Sequence, residues 1–327
     1  MRKLLLNSTA IATVAALTAS VAVADVSISA SSEMKYKSRT SEVAATNGTT
    51  TTSDSEVVFK FSNKTDSGLT VGYVVEMDAE GGATAIDEAS LSISGGFGTL
   101  VLGENDGAGD RFGISAVDLV AEESTDSVAS ARINTNADLT SGNGDGTKIV
   151  YLLPAMGGLT AGVSQADSGA TSGGDTTSLG FAYAMDAGGT SITFGGATTT
   201  TGSATTKDTS SNNLGVKFAS GDLKVTVAQG TFDAVDEDRK ANGVAASYKL
   251  ANGITLGAYM VSTTDDADQG EAYDASGIEA QYTIATGLTA VVNLNDYDYK
   301  VGNAADADMS AVGNKGTSTT LTIKAAF

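Results

Sequence analysis

From Val26 to Lys37 the chain changes character at every step. Val26, Ile28, Ala30, Ser32, Met34 and Tyr36 form one set, and Ser27, Ser29, Ser31, Glu33, Lys35 and Lys37 form the other. A period of two marks a β-strand whose faces meet different surroundings. The run of 12 residues exceeds the ~5–6 of an ordinary globular strand. It suits the ~9–11 of a tilted strand that crosses a bilayer. Only Ser32 interrupts the apolar set. This segment restricts the fold more than any short motif does, because a long two-faced strand must pair along both edges and tolerate two solvents.

The pattern recurs. Val57, Phe59 and Phe61 alternate with polar neighbours, as do Leu69 to Met77, Ile149 to Leu153, Leu179 to Met185, Val244 to Leu250 and Ile278 to Ile284. Sixteen such runs are counted along the chain. Short links such as "GGFG", "PAMGG", "DAGG", "ANG" and "ATG" swap with long ones rich in Asp, Thr, Ser and Gly. Short glycine-containing links are tight hairpins. Short turns at one end and long loops at the other are the plan of a membrane barrel. The expected fold is therefore all-β, a transmembrane antiparallel β-barrel of sixteen strands.

Charge placement tells the faces apart. Lys35, Lys37, Lys60, Lys148, Lys217, Lys224, Lys249 and Lys324 fall on the polar set, with Glu33, Glu76, Glu88 and Glu279. A Lys or Arg facing lipid costs roughly 2–4 kcal/mol at the midplane, so the charged set is expected to face a lumen. A soluble sandwich alternates in the same way, and a secreted or surface β-rich structural or adhesive protein is the alternative reading. Three further features weigh against it: strand length, loop alternation and the two ends of the chain. The run "GTSTTLTIKAAF" puts Leu321, Ile323, Ala325 and Phe327 on one side, and it is expected to close the ring onto the first strand.

The opening "MRKLLLNSTAIATVAALTASVAVAD" has a basic start, an uncharged middle and a small-residue end at "AVA". Residues 1–24 are expected to be a signal peptide, leaving a barrel domain over 25–327. Removing Arg2 and Lys3 with the leader moves the net charge from −20 to −22. So acidic a chain lacks the basic footprint of nucleic-acid binding. It has no Cys and no His, which excludes disulfide scaffolds, His-ligated zinc and the Ser-His-Asp triad. The single Pro fits a chain that is nearly all hydrogen-bonded strand. In "STTDDADQGEAYD" the acids miss EF-hand spacing. No cofactor or metal centre is expected, and weak calcium binding by acidic loops is the one ligand those oxygens suggest.

The segment "SLSISGGFGTLVLGENDGAGDRFG" (Ser90–Gly113) resembles the general diffusion porins of Gram-negative outer membranes. In that family a "GGFGT" turn and a strand ending in Gly lead into a long third loop. The segment "GDGTKIVYLLPAMGGLTAGVSQ" (Gly144–Gln165) is similar to the family's return from that loop, and the strand ending in Phe327 to its assembly signal. The resemblance implies a trimeric barrel whose third loop, here about Glu104 to Thr147, folds inward. It implies a loop side of the constriction carrying Glu104, Asp106, Asp110, Asp118, Glu122 and Glu123, with Asp126 beyond them. It implies a basic wall from Lys35, Lys37, Arg39 and Lys60. The implied partners are two further copies, outer-membrane lipid and lipopolysaccharide, the barrel-assembly machinery, and small hydrophilic solutes and ions. Glu104 stands where relatives often carry Arg, which favours a weak cation preference. Most aromatic residues fall on the apolar set, so a stacked sugar track in the lumen is not expected.

Overall fold

A computed structural model of the chain describes residues 25–42, 47–79, 86–120, 146–167, 173–203, 206–235, 237–265, 271–300 and 314–327. The expected leader lies outside the described residues, as do Glu122, Glu123 and Asp126.

Sixteen strands follow one another: β1 (Asp25–Ser41), β2 (Gly48–Lys64), β3 (Thr70–Asp78), β4 (Glu88–Gly95), β5 (Gly98–Glu104), β6 (Thr147–Leu152), β7 (Leu159–Ala166), β8 (Gly173–Asp186), β9 (Thr190–Ser203), β10 (Thr209–Ser220), β11 (Leu223–Ala234), β12 (Glu237–Lys249), β13 (Ile254–Asp265), β14 (Glu271–Ala285), β15 (Leu288–Lys300) and β16 (Asn314–Ala326). Each pairs with its sequence neighbours, and β16 pairs with β1, so the sheet is one closed ring. The closing pair is antiparallel and sets Ser31 against Ala326, Met34 against Ile323 and Arg39 against Ser318. Phe327 extends it by one step. Its N–H donates to the Ala30 carbonyl at 2.8 Å and its carbonyl accepts from the Ala30 N–H at 3.2 Å.

The two faces are sharply sorted. Outward apolar side chains are open, with Leu214 at 63% and Met260 at 64% of their full exposure. Inward polar ones are covered, with Asn293 and Thr322 at 0% and Lys324 at 5%. A soluble protein inverts this. A continuous exposed apolar band instead fits a surface solvated by lipid. The outward set turns polar above the band: Gln165 follows Val163, Asn212 precedes Leu214, Gln229 follows Val227, and Asn242 precedes Val244.

Several strands outrun the alternation that revealed them. Gly48–Ser55 of β2, Ala197–Ser203 of β9 and Asp296–Lys300 of β15 were expected as loop. The first two are polar on both faces, and in the third the outward set turns to Asp296, Asp298 and Lys300 while Tyr297 and Tyr299 take the inner face, so the apolar-outward period does not show them. Backbone pairing to the neighbouring strand carries them on, and runs of β-branched Thr favour it. The expected long loop between β11 and β12 is absent, because Ala234 pairs with Glu237 and leaves a two-residue link. At the opposite end the turns are as short as expected. Gly98 has φ of +110°, and a Cβ there would lie 2.2 Å from the Leu152 carbonyl oxygen, so no other residue fits that turn.

Replacing Val227, outward and open, by Arg is expected to lower unfolding stability in lipid vesicles by about 2 kcal/mol. An unchanged urea midpoint for this variant would mean that the face does not meet lipid.

Candidate pore interior

The long connection leaves the wall after Glu104, the last residue of β5, and just before it stands Gly103. This residue has φ of +121°, and a Cβ would lie 2.4 Å from the Ala89 carbonyl oxygen. Asn105 follows, buried. Its side-chain amide donates to the Gly103 carbonyl at 2.9 Å, and its Oδ1 accepts from the Arg111 guanidinium at 3.0 Å. The Lys148 ammonium, on β6, donates to the Asn105 carbonyl. The Arg111 Nε also donates to the Asp106 carbonyl at 2.9 Å. One short helix, α1 (Ala108–Phe112), comes next, and its first N–H donates to the Ser164 hydroxyl of β7 at 2.9 Å.

Beyond α1 the segment is clamped. The Ile114 N–H donates to Asn213 Oδ1 at 2.7 Å, and Asn213 Nδ2 donates to the Ile114 carbonyl at 2.9 Å. One buried amide of β10 thus pairs with a loop residue as a strand would. A single 3₁₀ turn over Ala116–Leu119 follows, opened by Ser115 and Asp118, whose carboxylate accepts from the Ser115 N–H at 3.4 Å.

The inner wall is cut away where this segment lies. Gly162, Gly180, Gly195, Gly215 and Gly257 occupy inward positions of β7, β8, β9, β10 and β13. A Cβ at Gly180 would meet Phe112 at 2.6 Å, one at Gly215 would meet Ile114 at 2.5 Å, and one at Gly257 would meet Val120 at 3.1 Å. Ile114, Val117 and Val120 pack there against Ala228, Ala245, Tyr259 and Val261. Tyr273, Tyr297 and Tyr299 belong to the same buried cluster. Burying an aliphatic side chain is worth ~1.5–3 kcal/mol, against ~1 kcal/mol net for a hydrogen bond. The apolar contact therefore supplies most of the attachment, and Asn213 sets its register.

The residues expected to form the site separate. Asp106 and Asp110 lie on the segment just described, and Asp118 forms an ion pair with Lys217 of β10 at 3.3 Å. Glu104 does not join them. It is the ladder partner of Thr147, exposed, and in the register set of Leu100 and Leu102. The position was expected on the loop because it follows the strand-ending Gly, but the β5–β6 ladder runs one residue further. Lys35, Lys37, Arg39 and Lys60 do share the inner face of β1 and β2, on the far side of the ring from β9 and β10. That wall is not uniformly basic. Lys35 pairs with Glu33 at 2.9 Å, and Lys324 of β16 pairs with the same carboxylate at 2.7 Å.

Sequence reasoning missed the clamp and the glycine track. The signal was present: Gly180, Gly195, Gly215 and Gly257 stand mid-strand on the polar set, where glycine weakens a strand unless a backbone or side chain approaches closely. Arg111 and Asn213 carried no pattern of their own. Most aromatics do face outward as expected, among them Tyr183, Phe194 and Tyr282. The inward tyrosines are too well covered to offer a stacking track. Among the described residues no group of three or more carboxylates is arranged to hold a metal ion.

A family model described as Gram-negative porin matches residues 10–325. The chain belongs to the Gram-negative porin family. It is an outer-membrane porin, which sets aside the secreted adhesive alternative. No curated protein matches the sequence. Among solved structures it is similar to the anion-selective porin from Comamonas acidovorans, at 17% identity and a TM-score of 0.67, over 93% of this chain and 100% of that one. It is similar to the in-vitro folded trimer form of OmpT of Vibrio cholerae, at 14% identity and a TM-score of 0.67, over 93% and 99%. A mutant porin of Rh. blastica matches at 17% identity and a TM-score of 0.63, over 92% and 100%. At these identities the likeness concerns the fold.

Removing the Asn213 amide by Asn213→Ala leaves the backbone groups of Ile114 without their partners, at about 1–3 kcal/mol for buried polar groups. The porin is expected to show larger or noisier single-channel steps, whereas Asn212→Ala, on the outward face, is expected to behave as the parent. Gly215→Val is expected to act in the same direction as Asn213→Ala by pushing Ile114 off the wall. Unaltered current traces for both inner-wall variants would show that the segment does not restrict the pore.

Proposed function

We propose that this porin is a passive water-filled channel for small hydrophilic solutes and ions, with a weak preference for cations and no catalytic step. The observation that carries the reading is the sorting of the closed ring, apolar outside and charged inside. A lumen lined by fixed charges passes hydrated solutes and discriminates ions by sign. The third loop, from about Glu104 to Thr147, acts as an inward constriction, supported by the packing of residues 105–120 on the inner wall. The acids proposed to face the pore are Asp106, Asp110 and Asp118, with Glu122 and Glu123 following them. The working form is a homotrimer, supported by the trimer form of OmpT of Vibrio cholerae, which shares the fold. Phe327 serves as the recognition end for the barrel-assembly machinery, residues 1–24 as the removable export leader, and lipopolysaccharide as part of the surrounding lipid. Acidic loops bind calcium only weakly, and no resident cofactor takes part.

The Comamonas relative is named for anion selectivity. The net charge of the chain, −20 in full and −22 without Arg2 and Lys3 of the expected leader, supports the opposite preference here. The test is conductance of detergent-purified mature protein in a planar bilayer under a tenfold salt gradient. Ohmic steps grouped in threes with a cation-selective reversal potential are the expected result. A reversal potential of anion sign refutes the preference, and folded protein that conducts nothing refutes the channel. In a second test, deleting Phe327 is expected to lower the yield of heat-modifiable trimer in the outer membrane several-fold. An unchanged yield refutes its role in assembly.

A further inference from the structure

The outer wall between β8 and β16 is concave. A groove of about 1200 Å³ runs across it. Leu214, Val227 and Met260, outward and open, form part of its floor. Of the described residues none from Asn105 to Val120 lines it, so it opens on the membrane side and not on the lumen.

Two rows of cross-strand partners make most of the groove. The lower row runs Phe194, Val216, Val227, Val244, Met260 and Ser276, and ends at Asp296. The upper row runs Leu214, Gln229, Asn242, Ser262, Asp274 and Asp298, and ends at Lys315. Such rows lie perpendicular to the strands, and the strands of a membrane barrel tilt by ~35–45°. The groove therefore climbs as it crosses the wall. Phe194 stands near the short-turn end of β9, which begins at Thr190, and Asp296 stands well up β15, which begins at Leu288. The lower end lies within the apolar band, and the upper end lies in the polar zone above it. From β9 to β13 the lower row is wholly apolar, a run of ~19 Å at ~4.8 Å per strand spacing. That is the reach of a long acyl chain laid obliquely.

The polar end carries both signs of charge. Lys300 pairs with Asp274 at 2.8 Å, and Lys315 pairs more loosely with Asp298 at 3.8 Å. Asp296 is exposed beside them, next above Leu294 on the outward set, and among the described residues it has no ion pair. Gln229 and Asn242 likewise make no side-chain hydrogen bond among the described residues. Polar groups at the edge of hydrocarbon need partners, and here the protein does not supply them. Asp296 and Lys315 are diagonal neighbours on one face, ~7–8 Å apart, so one zwitterionic headgroup can touch both. Its ammonium meets Asp296 and its phosphate meets Lys315. A purely anionic headgroup would set like charge against Asp296, where nearby hydrocarbon strengthens the repulsion.

From this we infer that the groove holds a lipid of the phosphatidylethanolamine class, with an acyl chain along Phe194 to Met260 and the headgroup between Asp296 and Lys315. The site lies on the outside of the barrel and goes beyond the channel reading.

The test uses the mature porin folded in detergent. It is incubated with micelles containing phosphatidylethanolamine or phosphatidylglycerol and freed of excess lipid by gel filtration. Retained lipid is counted by native mass spectrometry, and folding is checked by heat modifiability. The parent is expected to retain phosphatidylethanolamine and little phosphatidylglycerol. Ser276→Trp sets a ring where chain and headgroup meet, and is expected to lower retention about fivefold or more by taking the place of the lipid on the wall. Asp296→Lys is expected to lower it about threefold and to raise phosphatidylglycerol retention. Thr177→Trp, outward on β8 and outside the groove, is expected to match the parent. Equal retention by folded Ser276→Trp and by the parent overturns the site. Equal retention of the two lipids by the parent, unaltered in Asp296→Lys, overturns the headgroup assignment. Displacement of phosphatidylethanolamine by lipopolysaccharide at equal concentration overturns it as well. Retention is read without conductance, so its failure and the failure of the channel reading are told apart.

Discussion

Backbone hydrogen bonds have no substitute partner in lipid, and the rest of this molecule follows from that. An open sheet edge in hydrocarbon would leave a row of N–H and C=O groups unpaired, at several kcal/mol each. The pairing of β16 with β1 removes both edges at once. Closure then fixes which face is inside, and within the apolar band the inside must hold the charges that the strands carry. The ladder from Ser31–Ala326 to Ser41–Gly316, extended by Phe327 against Ala30, is the joint on which the sorting of faces depends.

A closed ring of sixteen strands is too wide to fill with its own inward side chains. Part of its interior is therefore furnished by chain that is not strand. The segment from Asn105 to Val120 takes that place by burying aliphatic groups on a wall stripped to glycine. This is a small hydrophobic core inside a polar lumen. It is held in register by Asn213, which satisfies both backbone groups of Ile114. The described part of the connection thus adheres to one arc of the ring, β7 to β13. The asymmetry of the pore follows from where the loop can adhere, and loop adhesion follows from where glycine replaces larger residues.

Strand number, order and facing were legible because each depends on a local rule. Alternation reveals a two-faced strand, and glycine reveals a turn. The cost of a lipid-facing cation makes Lys35, Lys60 and Lys324 point inward wherever they occur. Legibility failed where both faces are polar, as in Gly48–Ser55 and Ala197–Ser203, since pairing there is carried by the neighbouring strand. It failed at Glu104 for a related reason: one more ladder step to Thr147 moves a residue from loop to wall.

The sequence by itself determined a sixteen-stranded barrel with an apolar outside and a charged inside. A strand carries its partition between two solvents in its own period, and sixteen strands repeat it. Tertiary structure alone decided which charges meet. Glu76 and Glu88 sit in separate runs with a long connection between them, and nothing local sets them opposite one another. Cross-strand register does so, and register is a relation between segments. The same holds for Asn213 and Ile114, 99 residues apart in the chain and joined only because the segment after β5 packs against β10.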